Sequence, residues 1–248
     1  MTQAQTEAYE CGLVPEHSDA RFISQHLAAY AFARRFVQGK RVLEIGFGEG
    51  YGSQYLAEVA KEVTGIDMAP GNIPRAHEKY PRANLRFLHM EGTKLAFPDE
   101  SFDVVGSFQV IEHIPEPQLV NHLREVSRVL TPHGIYCLST LNLDHNMKPG
   151  KPYEKLRYHE KEFTAQELQR LLAQTFPAVE LHGLYLTWRH YLYQRLKKWG
   201  LNRVGPARLN PVARFYERVS VEAFLTRPRV SRAALDLIAV CRKTRPAS

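Results

Sequence analysis

Three acids and a run of alternating glycines set the chemistry open to this 248-residue sequence. The run, Gly46-Phe47-Gly48-Glu49-Gly50-Tyr51-Gly52, follows directly on a short apolar stretch, Val42-Leu43-Glu44-Ile45. Glycines at alternate positions let the backbone turn sharply and approach a ligand with no Cβ in between. A dinucleotide loop of the form G-x-G-x-x-G would need glycine at position 51, which is tyrosine. Glu44 and Glu49 also place carboxylates on either side of the glycines, where a pyrophosphate would be repelled. A cation fits better, and S-adenosylmethionine carries a sulfonium and an α-ammonium but no phosphate. Asp67 ends the next apolar run about twenty residues on, where an acid can accept from both ribose hydroxyls of a nucleoside.

Two histidines are candidates for moving a proton. His113 follows the fourth apolar run. His159 lies in Arg157-Tyr158-His159-Glu160-Lys161-Glu162, just before a helix that Thr164 caps with Glu167 three residues on. Either could serve as a general base, and either could equally be a packing or capping residue. Asn142, His145, Tyr153, Tyr158, His26 and Tyr30 are further candidates to line an acceptor pocket. The histidines are scattered, with no H-x-x-x-H or carboxylate pair at ligand spacing, so no metal site is expected.

The elements that must position these groups alternate. Residues 18–37 repeat apolar positions at helical spacing. Short β-rich runs follow at 41–45, 62–66, 85–89, 102–107, 134–139, 179–186 and 234–241, with helical patterns near 51–60, 71–79, 116–130 and 164–175. This order predicts a Rossmann-like, doubly wound α/β fold: a seven-stranded, mostly parallel sheet with an antiparallel edge strand. The carboxyl end of the first strand is then the expected ligand crevice.

With those residues in place, the sequence resembles class I S-adenosylmethionine-dependent methyltransferases of the type 11 kind. Val42–Tyr51 resembles their V-L-D/E-x-G-x-G-x-G motif, and Leu95–Asp103 their L-P-F-x-D-x-S-F-D segment, with Ala96 in place of proline. Phe108–Ile114 is similar to x-x-V-L-E-H-I/V, and 123–134 to L-x-E-x-x-R-V-L-x-P-G-G with His133 for the first glycine. Glu91-Gly92 stands where the family usually has Asp-Ala. The resemblance implies that Gly46, Gly48 and Gly50, flanked by Phe47 and Tyr51, receive the methionine end of the cofactor. It implies that Glu44 holds the ammonium through backbone or water, that Asp67 takes the ribose, and that Met68 packs on the adenine. Glu91 would accept from the adenine amine with the Gly92 backbone beside it, and backbone at Phe108 and Gln109 would close over the sulfonium. The products would be S-adenosylhomocysteine and a methylated acceptor. A sugar, glycan, quinone or lipid-precursor hydroxyl is favoured as that acceptor.

Hydrophobic residues make up 44% and charged residues 24% of the chain, an ordinary globular balance. Cys11, Cys137 and Cys241 lie far apart, which argues for a reducing, cytoplasmic setting without a disulfide framework. The first ten residues lack a basic and apolar leader pattern, and no apolar run is long enough to span a bilayer. The net charge of +7 is concentrated in 188–232, where eleven Lys and Arg face only Glu217 and Glu222. That stretch reads as a helical insertion within a single domain spanning 1–248. As a helix it would place Trp188, Leu192, Arg195, Leu196 and Trp199 on one side. It could cap the site, receive an anionic acceptor, touch a membrane or bind RNA. A protein that binds the cofactor without turning it over is the remaining alternative, and the sequence leaves the oligomeric state open.

Overall fold

In the computed structural model, residues 19–244 are described apart from 148, 149, 151 and 218; Cys11 and the first ten residues lie outside this set. The β-strands are β1 Arg41–Ile45, β2 Glu62–Asp67, β3 Leu85–His89, β4 Phe102–Phe108, β5 Leu130–Leu141, β6 Ala178–Leu186, β7 Phe224–Arg227 and β8 Asp236–Arg242. The helices are α1 Ala20–Val37, α2 Tyr51–Ala57, α3 Asn72–Lys79, α4 Leu119–Val129, α5 Leu143–Asn146, α6 Ala165–Leu172, α7 Trp188–Lys198 and α8 Pro211–Glu217.

The sheet runs β3-β2-β1-β4-β5-β8-β6-β7. The first five strands pair in parallel, and β8 enters antiparallel between β5 and β6. The α/β class and the mostly parallel sheet are as expected, but among the described residues the sheet has eight strands rather than seven. The extra one, β7, lies inside the basic stretch and pairs antiparallel with β6 through Leu184↔Thr226 and Tyr185↔Leu225. Four residues are too short a run for alternation to show, and only the free edge of β6 makes them a strand.

Successive strand residues point to opposite faces, so each buried strand supplies two cores. Val42, Val63, Val104 and Cys137 join Tyr30, Phe32 and Ala33 of α1 and Leu56 of α2 on one face. Leu43, Ile66, Val105 and Leu138 join Leu123, Val126 and Val129 of α4 and Leu168 and Leu172 of α6 on the other. Cys137 and Cys241 are free, buried thiols. Among the described residues no helix is long and apolar enough to cross a membrane.

The insertion packs only partly on the rest of the structure. α7 buries none of its residues, and Trp188 and Trp199, expected on one helical side with Leu192, are 75% and 67% exposed. Its contact with α8 runs through other residues: Tyr193 stacks on Phe215 at 3.7 Å, and His190 lies 4.6 Å from the same ring.

The segments most similar to the methyltransferase motifs form a clamp. Arg128 donates to both oxygens of Glu125, to Asp99, and to the carbonyls of Leu95 and Phe97, all at 2.8–2.9 Å. Glu125 in turn accepts from the Leu95 N–H at 3.0 Å. The loop before β4 is thereby fixed to α4. Arg128→Met strips partners from two backbone carbonyls and should lower the unfolding free energy by about 2–3 kcal/mol. Urea denaturation measures this, and a loss below about 0.5 kcal/mol would mean the loop is held by packing instead.

Candidate active site

Glu44 leaves β1 on the face covered by α1 and α2, and its side chain is fully buried. Tyr30 Oη donates to Oε1 at 2.6 Å, and Ser53 Oγ donates to Oε2. Burial, with the charge of Asp67 adding to it, raises the Glu44 pKa to about 7. Both oxygens are thus engaged by hydroxyls beneath the glycine loop, which leaves any contact with an ammonium group to backbone or water. Sequence reasoning placed Tyr30 in the acceptor pocket and did not find Ser53.

Above Glu44 the chain turns through Gly46, at φ +74°, where an added Cβ would lie 2.6 Å from Val110 Cγ2. Gly50, at φ +87°, opens α2. Asp67 closes the other side: Oδ2 accepts from Gly48 N–H and Oδ1 from Ala69 N–H, each at 2.8 Å. Met68 beside it is 74% exposed, so it is not part of the core. Met90 N–H donates to the Asp67 carbonyl at 3.0 Å, which brings exposed Glu91 and half-buried Gly92 next to the end of β2. The Gly92 carbonyl is held at 2.7 Å by His122 Nδ1, a buried histidine that sequence reasoning missed.

Phe108 ends β4 buried against Tyr30, with ring centroids 4.1 Å apart, and Gln109 follows at φ +58°. A positive φ in a residue other than glycine is strained, and here Gln109 N–H donates to the Ser139 carbonyl at 2.9 Å. His26 of α1 bridges the groups: Nδ1 meets the Tyr51 hydroxyl and Nε2 the Phe108 carbonyl at 3.2 Å. Burial pushes its pKa down to about 4, so it is neutral, with Nε2–H donating and Nδ1 accepting. The side chains meeting at this end of the sheet are carboxylates, hydroxyls and a neutral imidazole, and Lys79 pairs with Glu49 at 3.9 Å. That donor set fits a cationic nucleoside such as S-adenosylmethionine and is ill-suited to a phosphate.

The carboxyl ends of β4 and β5 carry a second cluster. Glu112, in a 3-10 turn after β4, is fully buried, and its Oε2 accepts from Thr140 Oγ1 at 2.9 Å. Burial, with Asp236 and Glu162 adding to it, raises its pKa to about 8. The Glu112 carbonyl accepts from Glu160 N–H at 2.7 Å, which folds the loop after β5 back over this turn. His113 and His159, from separate segments, thereby come together with ring centroids 4.9 Å apart. His159 Nδ1 lies 2.8 Å from Glu162 Oε1, and His113 Nδ1 lies 2.9 Å from the Tyr158 carbonyl. Burial, with His113 and Lys155 adding to it, pushes the His159 pKa down to about 4.

The remaining pocket candidates have mixed placements. Tyr153 donates to Glu162, and Tyr158 is exposed. Asn142 and His145 instead hold carbonyls of 231–234 before β8. Asp236, which sequence reasoning missed, is buried at the start of β8 and accepts from Gln25 at 2.9 and 3.0 Å.

Glu44 gives a pH dependence whose sign is fixed. Its folded pKa, about 7, lies above the ordinary glutamate value of 4.5, so the folded state holds a proton that the unfolded chain releases. The associated stability is complete below about pH 4.5 and is lost as pH rises through about 7. Glu44→Gln should flatten that part of the unfolding free energy against pH by up to about 3 kcal/mol. Denaturation of both proteins between pH 4.5 and 8 measures it, and parallel curves would contradict the assignment.

The chain is similar in sequence and fold to known methyltransferases. Residues 43–138 match a family model described as a methyltransferase domain. A Mycolicibacterium smegmatis protein named "Probable S-adenosylmethionine-dependent methyltransferase" is 38% identical over 149 residues, covering 60% of this chain and 56% of the relative. A ubiquinone biosynthesis O-methyltransferase of Azorhizobium caulinodans is 38% identical over 120 residues, 48% of this chain and 47% of the relative. The chain thus spans about half the length of these curated relatives. The crystal structure of an S-adenosylmethionine-dependent methyltransferase from Mesorhizobium loti superposes with a TM-score of 0.58 at 19% identity, covering 86% of this chain and 97% of that one; at that identity the likeness concerns the fold. Over residues 43–138, which carry the acidic glycine loop, the chain is thus similar to the methyltransferase domain and to S-adenosylmethionine-dependent methyltransferases.

Proposed function

We propose that this protein transfers a methyl group from S-adenosylmethionine to a hydroxyl of a small, partly apolar acceptor of the quinone- or lipid-precursor class. The observation that carries the reading is the pair His113 and His159 at the carboxyl ends of β4 and β5. Each has Nδ1 against an oxygen, so each presents the Nε2 lone pair. A hydroxyl acceptor must lose a proton as it attacks, whereas an amine can bind already neutral and needs no such group. The likeness to a ubiquinone biosynthesis O-methyltransferase supports the same acceptor class.

The cofactor supplies an activated methyl group on sulfur, ready for in-line displacement. What the chain must add is alignment and exclusion of water. Gly46, Phe47, Gly48, Gly50 and Tyr51 form the cradle for the methionine end, with Glu44 underneath. Asp67 receives the ribose, Met68 the adenine face, and Glu91 with Gly92 the adenine edge. Phe108 and Gln109 hold the backbone at the methyl-bearing end. Glu162 fixes the tautomer of His159.

The exposed face of α7 fits an acceptor carried in a membrane. Trp188, Tyr191, Leu192 and Trp199 are exposed beside Arg195 and Lys198, a mixture suited to an anionic lipid surface. RNA, also basic-surface chemistry, would instead give binding that falls steeply with salt.

Formation of S-adenosylhomocysteine tests the reading, with hydroxylated aromatic acceptors either dissolved or carried in anionic vesicles. Turnover is expected with both. Trp188→Ala with Trp199→Ala should raise the apparent KM for the vesicle-borne acceptor about tenfold and leave the dissolved one unchanged. Turnover confined to RNA, or none with any acceptor, would overturn the proposal.

A further inference from the structure

Glu112, His113 and His159 each direct one donor atom into a common space, and these atoms all lie within 4.8 Å of one another. Glu112 Oε1 is buried and has no hydrogen-bond partner, although Oε2 is satisfied by Thr140. A buried carboxylate oxygen left unpaired is costly, and a cation beside it would remove that cost.

The histidines are prepared in a matching way. His159 has Nδ1 on the Glu162 carboxylate at 2.8 Å, and His113 has Nδ1 on the Tyr158 carbonyl at 2.9 Å. This is the arrangement by which metal-bound imidazoles are held: one nitrogen donates to an oxygen, which fixes the tautomer and turns the other lone pair inward. Glu162 is itself anchored by Tyr153 and by Leu156 N–H at 3.1 Å, so the support extends one layer further.

We propose that Glu112, His113 and His159 bind one divalent transition-metal cation. Two imidazole nitrogens and one carboxylate oxygen suit zinc, cobalt or iron, whereas magnesium prefers oxygen ligands alone. Metal–nitrogen bonds of about 2.1 Å require the donors to close by roughly an ångström, which the exposed His113 ring can supply by turning. Three protein ligands leave further positions on the cation open.

The catalytic consequence rests on the methyl-transfer reading above; cation binding does not. An acceptor hydroxyl in an open position would have its pKa lowered, and its proton would pass to water. The oxygen lone pair then forms the O–CH3 bond while the S–CH3 pair stays on sulfur, giving a neutral thioether. In this state the histidines act through the cation and not as bases themselves.

The test uses the full chain, stripped with a chelator and titrated with Co2+ and Zn2+, with stoichiometry read by calorimetry and ligation by the Co2+ visible bands. One cation per chain is expected, with Mg2+ binding more weakly. His113→Ala, on an exposed side chain, and His159→Ala should each weaken Co2+ binding at least about tenfold and alter the bands. Glu162→Gln should weaken it less. The proposal is overturned if the wild type binds neither cation at millimolar concentration, or if both histidine variants bind as the wild type does. Cation binding without methyl transfer to any acceptor would keep the site and remove the functional reading. Methyl transfer by a chain that binds no cation would do the reverse.

Discussion

A carboxyl group without solvent, at Glu44, is the constraint around which this end of the molecule is arranged. Removing a charge from water costs several kcal/mol unless the surroundings supply hydrogen bonds or the group takes up a proton. Here both happen: Tyr30 and Ser53 occupy its two oxygens, and burial raises its pKa to about 7. Because the two hydroxyls come from α1 and α2, satisfying Glu44 docks both helices on β1. The packing is close, since a Cβ on Gly52 would lie 2.1 Å from the Tyr30 ring. The same helix then places His26 against Tyr51 and Phe108, and Gln25 against Asp236.

From this arrangement two chemically distinct halves follow at the carboxyl edge of the sheet. The ends of β1, β2 and β3 offer acids, glycines and an exposed thioether, a set whose chemistry suits a cationic nucleoside. The ends of β4 and β5 offer paired imidazoles backed by buried carboxylates, a set that can withdraw a proton from an acceptor or hold a metal. The α4 clamp, through Arg128 and His122, fixes the loops between them. Position at the strand ends, where the parallel sheet opens, explains why both halves lie on one edge.

The first half was largely legible in the sequence, because its signals are local. Strand, glycine loop, helix and Asp67 lie within one unbroken stretch, and the L-P-F-like and E-H-I segments are short enough to read as units. The second half was not, because its partners are brought together by folding. Nothing in the spacing of His113 and His159 shows that the Glu112 carbonyl pulls the 153–162 loop over them. Nor does a sequence reveal that Ser53 faces Glu44, or that Asp236 meets Gln25. β7 escaped notice for a related reason: Phe224–Arg227 is a strand only because β6 offers it an edge. Whether the α7 face is covered could not be read either, because helical periodicity says which residues share a side, not whether anything packs on it.

A crystal structure of the protein with S-adenosylhomocysteine would show whether the acidic strand ends receive the cofactor. Both ribose hydroxyls should lie on Asp67, the adenine against Met68 and beside Glu91-Gly92, and the amino-acid tail over Gly46–Gly48. Its sulfur should face the side of Gln109 that leads to His113 and His159. A nucleoside bound elsewhere, or one whose ribose does not touch Asp67, would contradict it.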